Sequence, residues 1–443
     1  MKLYIKTFGC QMNTYDSDKI RDILLASHQM SVTQKPEHAD IMLMVTCSVR
    51  EKAEEKVYSE LGRWRKSYKS KNPNLIIGVG GCVAAQEGKK LVQRSQDVNL
   101  VFGPQTIHRI PSMLDEHMKS KKPVIDISFP EIEKFDYIPA PNQDQLTAYV
   151  SIMEGCSKYC SYCIVPYTRG EEISRPFEDV MLEVHQLVQK GVIEITFLGQ
   201  NVNDYQGLTK DKSIADLSVL IHYTAAIQNI QRIRFTTSHP SSFGQSLIDC
   251  YDEEIKLANH LHLPVQSGSD RLLAKMKRTY TALEYKNKIK KLRMVRPDIC
   301  ISSDFIVGFP GETDDDFQKT LDLVEQIQFD KSYTFIYSPR PGTPASDLKD
   351  CLPLAIKKQR LQKLQSVLKS CEERISHRML GTIQSVLIIG ESSKPLNKET
   401  TIYGRTQNNR IVHINAEKSY IGGMILVKIE QIYKNCLIGS IDQ

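Results

Sequence analysis

The sequence predicts an α/β protein in three parts. An α/β domain on a parallel sheet comes first, a partial (βα)6 barrel occupies the centre, and a small antiparallel β-barrel closes the chain. Two patterns carry this expectation. From residue 2 to about 350, strand-like apolar runs alternate with helix-like amphipathic stretches, the signature of a parallel sheet crossed by helices. After Gly381 the pattern changes to short β-like runs without helices between them.

The first domain is expected over residues 1–120. Its strand-like runs are Leu3–Phe8, Ile41–Val45, Leu75–Val79 and Asn99–Phe102, with a helix-like stretch at Arg50–Lys69. Three of these runs lead into a cysteine: Phe8-Gly9-Cys10, Val45-Thr46-Cys47 and Gly80-Gly81-Cys82. In a parallel sheet all carboxyl strand ends lie on one edge, where such folds bind ligands. Cys10, Cys47 and Cys82 are therefore expected on one rim as a three-thiolate site. Buried core thiols are the alternative. Residues 121–146, with Lys121-Lys122-Pro123 and Pro139-Ala140-Pro141-Asn142, break the periodicity and read as a connector.

Residues 147–377 hold six strand-then-helix units. The strands are expected at Tyr149–Met153, Glu194–Leu198, Arg232–Thr236, His260–Val265, Ile301–Val307 and Tyr333–Tyr337. Polar, loop-like residues follow each, as on the functional face of barrel enzymes. Six units fall short of the eight that close a barrel, so a splayed one with a wide mouth is expected. The first strand leads into Cys156, Cys160 and Cys163. Three thiols at this spacing can wrap one small inorganic centre, one ligand short of saturating an iron–sulfur cluster. Zinc is the rival, but it wants four ligands and no histidine lies between Gln143 and Val180.

A long helix follows. From Lys357 to Arg378 it carries seven Lys/Arg against two Glu, either a solvated face or an RNA contact. Residues 378–443 contain strand-like runs at Ser385–Ile389, Thr401–Tyr403, Ile411–Ile414, Met424–Ile429 and Cys436–Ile441. Five short strands fit a barrel of the oligonucleotide-binding type. The loop Gly404–Arg410 is rich in guanidinium and amide donors, a weak RNA signal by itself.

Composition bounds the rest. The 443 residues carry 58 Lys+Arg against 52 Asp+Glu, a net charge of +6 that permits a polyanionic partner. No apolar run reaches membrane-spanning length, and the amino terminus alternates like a strand instead of forming a signal peptide. A cytoplasmic protein with no membrane partner is expected. Eleven cysteines in such a chain favour metal or cluster ligation over a disulfide framework.

Cys156-x-x-x-Cys160-x-x-Cys163, with Tyr162 before the last thiol, resembles the signature of radical S-adenosylmethionine enzymes. The wider string from Glu154 through Pro166-Tyr-Thr-Arg169-Gly to Arg175-Pro is similar to the methylthiotransferase branch. Thr7–Asn13, Thr236–Pro240, Leu263–Ser269 and Tyr337–Thr343 extend the resemblance over nearly the whole chain, toward members acting on isopentenylated adenosine in tRNA. Val45 and Ser157 depart from the pattern, each standing where Asn is usual. Val45 is expected to lose a hydrogen bond behind the ligands.

The resemblance implies that Cys156, Cys160 and Cys163 hold a [4Fe–4S] cluster whose open iron chelates S-adenosyl-L-methionine. One electron then cleaves the sulfonium, giving a 5′-deoxyadenosyl radical that takes hydrogen from C2 of the adenine beside the anticodon. Cys10, Cys47 and Cys82 would hold a second [4Fe–4S] cluster presenting sulfur, and a second S-adenosylmethionine would supply the methyl group. No side chain need act as acid or base in that abstraction. Tyr162, Gln200, Asn201, Gln266, Ser267 and Gly308 are the candidate cofactor contacts, with Gly311, Glu312, Ser238 and His239 on the same rim. Gly308 reads equally as part of a Gly-Pro turn opening a helix, Glu312 reads better as a residue at that helix's positive end, and His239 before Pro240 has the alternative reading of a cap for the next helix. The resemblance also implies a TRAM-type RNA module with Arg405, Asn409 and Arg410 against the backbone, the anticodon stem-loop of tRNA as partner, and a reductant protein such as flavodoxin or ferredoxin. Two rivals stand beside it. One is the same chemistry on threonylcarbamoyladenosine in tRNA or on an aspartate of a small-subunit ribosomal protein. The other is a non-catalytic iron–sulfur RNA-binding protein.

Overall fold

The computed structural model describes residues 1–48, 53–129, 135, 145–392, 401–433 and 436–442. Arg50, where the helix-like stretch Arg50–Lys69 was expected to begin, and most of the expected connector, including Pro139-Ala140-Pro141-Asn142, lie outside these residues.

The amino-terminal sheet has six parallel strands: β1 (Lys2–Thr7), β2 (Ser31–Val32), β3 (Ile41–Thr46), β4 (Ile76–Gly81), β5 (Leu100–Phe102) and β6 (Val124–Asp126). Their spatial order is β2-β1-β3-β4-β5-β6. Four were expected. β2 and β6 are too short to show a periodicity, and β6 lies where a connector was expected. The apolar residues of β3 are buried on both faces, as a doubly covered parallel strand requires. Because the chain passes from β1 to β2 on one side and then to β3 on the other, strand order reverses between β1 and β3. That switch point is where open α/β sheets place their ligand crevice.

The central domain is the expected splayed barrel. Thr147–Ser151, Glu194–Leu198 and Arg232–Phe235 form one parallel run. His260–His262 pairs with Cys300–Ser302, and Asp304–Val307 pairs with Tyr333–Ile336, again in parallel. Single parallel bridges, Ile233 to Leu257 and Gln266 to Phe305, join these pieces. Two expected strands are shorter or split. Pro264 has no N–H to give a ladder, so the strand after His260 ends early. At Ser303 the expected strand 301–307 changes partner, with Ser303 N–H turned to the Ser332 hydroxyl at 3.1 Å. Val150, Ile195, Phe197, Ile233, Leu261 and Phe305 face the surrounding helices and form the largest apolar core.

The carboxyl-terminal barrel closes with five strands, Ile383–Glu391, Thr401–Thr406, Ile411–Asn415, Met424–Ile432 and Leu437–Ile441. Closure makes one pair, Ile411–Asn415 with Leu437–Ile441, parallel within an otherwise antiparallel sheet. Among the described residues no helix is long and apolar enough to cross a membrane.

The loop after Thr406 corrects a sequence expectation. It docks against the amino-terminal end of the central strands, opposite the functional face. Arg232, fully buried, donates to the Arg405 carbonyl at 2.8 Å, and Arg234 donates to the Thr406 and Gln407 carbonyls at 2.8 and 3.0 Å. Both guanidiniums also reach Glu194. Arg410, expected to contact RNA, is buried and ion-paired with Asp330, so its charge does not face a partner. Arg405 and Asn409 are half-buried, and Arg405 donates to Asn409 Oδ1 at 3.1 Å. The basic helix, Leu354–Met379, is similarly divided. Lys357 and Arg360 are buried against Asp350, Glu312 and Asp314, whereas Lys358, Lys363, Lys369, Arg374 and Arg378 are exposed.

Removing one partner of a buried ion pair costs about 3–5 kcal/mol because the other charge is left stranded. Arg410→Ala is therefore expected to lower the stability to denaturant by that amount. A loss under about 1 kcal/mol, the range of a surface pair, would contradict the docking role.

Candidate functional site

The amino-terminal thiols leave three adjacent strands. Cys10 follows β1 by way of Phe8-Gly9, Cys47 follows β3 directly, and Cys82 opens the short helix Cys82–Glu87 after β4. The parallel sheet thus gathers onto one edge thiols that are distant in sequence. Glycine is required at two of the approaches. Gly9 has φ +124°, and a Cβ there would lie 2.2 Å from that of Cys47. Gly81 has φ +90°, and a Cβ there would meet the Thr46 carbonyl at 2.4 Å. Hydrogen bonding to Cys47 is the largest influence pulling the Cys10 thiol down, to about 6, with the Arg169 charge assisting. Val45, expected to cost a hydrogen bond behind the ligands, packs in the apolar layer with Leu3, Leu43 and Phe102 instead of facing the thiols.

The second set sits on the loop after Thr147–Ser151. Gly155 has φ +78° and comes so close to the next loop that a Cβ would lie 1.9 Å from the Glu171 carbonyl. Cys156 N–H donates to the Gly170 carbonyl at 3.2 Å, and Cys163 N–H to that of Cys160 at 2.9 Å. Ser157, the second departure from the family pattern, accepts from Glu172 N–H at 3.1 Å and pins the loop. Ser161 ties it to the Lys275 and Met276 carbonyls. Tyr162 packs against Leu272, Met276, Phe309, Tyr337 and Ala345. Burial pushes the Cys156 thiol up to about 11 and that of Cys163 to about 12. Arg278, buried, donates to Cys160 Sγ at 3.4 Å.

Among the described residues no three ligating side chains already surround a common point. Thiolates repel one another, so the cysteines have no electrostatic reason to converge until a cation sits between them. The residues nonetheless fit an iron–sulfur group at each loop. Each offers three soft donors and lacks a fourth, and glycines let the cysteine-bearing backbone come close to its neighbours. Four polar atoms on the two loops after Leu198 and Phe235 are buried without a partner: Gln200 Nε2, Asn201 Oδ1, Ser238 Oγ and His239 Nε2. Such atoms are costly unless something is bound there.

The other expected residues divide. Gln200 Oε1 accepts from Gly155 N–H at 2.6 Å, which fixes it beside the second cysteine loop. Asn201 donates to Asp204, itself 2.5 Å from Lys158 of that loop. Burial, then the Asp204 charge, pushes the neighbouring Glu172 carboxyl up to about 7. Gln266, held at φ 72°, lines a cavity of about 240 Å3 with Tyr162, Cys163, Ile306 and Tyr337. Ser48, one residue past Cys47, lines the same cavity, so the chain leaving β3 reaches the space beside Cys163. His239 caps the following turn through Nδ1, as its alternative reading required. Ser267 instead pairs with Thr320 and supports its own loop. Gly308 lies under the Lys357 stem, with its N–H donated to Glu312 Oε2 at 2.8 Å, and Arg360 donates to the same oxygen at 2.6 Å.

Two further residues were not assigned a role from sequence. Arg278 carries no local signal. Arg169 lies within the recognised string, but only the fold shows what it touches. It is 3% exposed, pairs with Glu154, and donates to Asp16 at 2.9 Å and to Asn13 Oδ1 at 3.3 Å.

Comparison with known proteins agrees with this arrangement. Residues 2–103 match the family described as Uncharacterized protein family UPF0004, residues 150–324 the Radical SAM superfamily, and residues 377–441 the TRAM domain. The fold resembles the radical S-adenosylmethionine methyltransferase TsrM of Kitasatospora setae, with TM-score 0.56 at 12% identity over 78% of this chain and 77% of that one. Two curated proteins named tRNA-2-methylthio-N(6)-dimethylallyladenosine synthase are each 59% identical over 440 residues. The one from Coxiella burnetii is matched over 99% of both chains, and that from Legionella pneumophila over 99% of this chain and 98% of its own. With relatives this similar from end to end, the chain belongs to the tRNA-2-methylthio-N(6)-dimethylallyladenosine synthase family of radical SAM proteins.

Proposed function

We propose that the protein is a radical S-adenosylmethionine methylthiotransferase that converts N6-(dimethylallyl)adenosine, on the 3′ side of the anticodon in tRNA, to its 2-methylthio derivative. The observation that carries this reading is the two sets of three cysteines, each at the carboxyl edge of a parallel sheet, with Cys163 of one set and Ser48, next to Cys47 of the other, lining one cavity. When bound, a [4Fe–4S] cluster with one open iron supplies the chelation site and the electron that break S-adenosylmethionine into methionine and a 5′-deoxyadenosyl radical.

The chain's own residues hold and shield. Cys156, Cys160 and Cys163 would bind one cluster, with Arg278 beside Cys160 offsetting its negative charge. The cavity at Cys163 suits the adenosyl part of the cofactor, with Tyr162, Ile306 and Tyr337 excluding water from it. Gln200 and Asn201 would offer their unpartnered buried atoms to the cofactor's polar groups. Cys10, Cys47 and Cys82 would bind a second cluster that presents sulfur to C2 of the adenine. The substrate base must leave its stack to reach that point, which single-stranded anticodon-loop RNA allows. The carboxyl-terminal barrel and the exposed Lys358, Lys363 and Lys369 are suited to its phosphates. A flavodoxin or ferredoxin would supply electrons, in the cytoplasm.

Reconstituted protein given S-adenosylmethionine, a reductant and isopentenylated tRNA is expected to yield 2-methylthio-N6-(dimethylallyl)adenosine, read by mass spectrometry of the nucleosides. Product appearing only on threonylcarbamoylated tRNA would reassign the substrate. For the clusters, about eight irons per chain are expected, falling by half in the Cys10→Ala, Cys47→Ala, Cys82→Ala variant. Unchanged iron in that variant would remove the amino-terminal site.

A further inference from the structure

Arg169 ends the short helix Val165–Arg169, which packs against the helix opened by Cys82. Its guanidinium touches both halves of the molecule. One side pairs with Glu154, two residues before Cys156. The other side donates to Asp16 and Asn13, on the helix Gln11–His28 that begins directly after Cys10. Its backbone carbonyl accepts from Gln105 Nε2 of the amino-terminal domain at 2.7 Å. Asn13 is shared: Nδ2 donates to the Phe8 carbonyl at 2.7 Å, while Oδ1 accepts from Arg169 and lies 3.8 Å from the Cys10 thiol.

We propose that Arg169 is a positioning residue for the amino-terminal cluster, fixing its loop against the barrel's cysteine loop and supplying the permanent positive charge beside it. The inference rests on the two-cluster reading above. A [4Fe–4S] core held by three thiolates is anionic, and reduction adds a further negative charge. A buried cation close by stabilises the reduced form more than the oxidised one, since charges in a protein interior are weakly screened. Arginine suits the place for a second reason. It cannot lose its proton, and its planar fork reaches Glu154, Asp16 and Asn13 at once. A purely interfacial ion pair would be complete with the two carboxylates. The contact to Asn13 extends the network to the first amino-terminal thiol, and the charges of Cys82 and Cys10 rank among those acting on Arg169.

The test measures each cluster alone. In the Cys156→Ala, Cys160→Ala, Cys163→Ala background, Arg169→Gln is expected to lower the midpoint potential of the remaining cluster, and Arg169→Lys to restore most of the shift. In the Cys10→Ala, Cys47→Ala, Cys82→Ala background the same substitutions should move the potential less. No shift in the amino-terminal cluster, or an equal shift in both, would overturn the proposal. Should Arg169→Gln not fold, Asn13→Asp places a negative charge at the same spot without emptying it. Its potential must also fall, and an unchanged value overturns the inference. If the first background binds no iron at all, the two-cluster reading fails and this inference falls with it.

Discussion

The guanidinium of Arg169 is the contact on which the arrangement of this protein turns. Burying an unpaired charge of this kind would cost several kcal/mol, so the domains must come together in the one way that surrounds it. Glu154 arrives from the barrel, and Asp16 and Asn13 from the amino-terminal helix. Each of these residues lies within six positions of a cysteine. Satisfying one buried cation therefore also fixes the separation of the two thiol sets. A second tie runs nearby, where Glu183 of the barrel helix takes Lys19 and Arg175. Those two cations hold the Glu183 carboxyl down at about 2 against the effect of burial.

Parallel strands do the rest. Each sheet sends its strands in one direction, so loops from distant parts of the sequence emerge together. Tight glycine approaches then bring the backbone close. Gly9, Gly81 and Gly155 all hold positive φ where a side chain would collide with a neighbouring loop. At the opposite end of the barrel the same geometry leaves strand beginnings and buried arginines. There the carbonyls of the 405–407 segment cap Arg232 and Arg234. The carboxyl-terminal barrel is thus fastened by polar contacts at the base, leaving the mouth free.

Much of this was legible in the sequence because it depends on local pattern. The strand Glu194–Leu198 falls where its apolar run predicted, and the three strand-to-cysteine junctions were visible as repeated pairings of apolar run and thiol. What remained hidden depends on partners distant in sequence. Arg410 in a Gly/Asn/Arg loop reads as a solvent-facing donor, yet Asp330, eighty positions earlier, claims it. Ser267 looked like a ligand residue because of its loop, and only the packing of Thr320 shows it turned inward. Arg169 was visible as part of a motif, but its burial exists only once two domains meet. Val45, read as a weakened position, is an ordinary core residue of a doubly covered sheet.

The central claim is that two iron–sulfur groups face one reaction site. Electron paramagnetic resonance of the fully reduced protein tests it most directly, because two paramagnetic centres held close together broaden and split each other's signals. The account predicts a spectrum that differs from the sum of the two three-cysteine variants measured separately. A wild-type spectrum equal to that sum would contradict it.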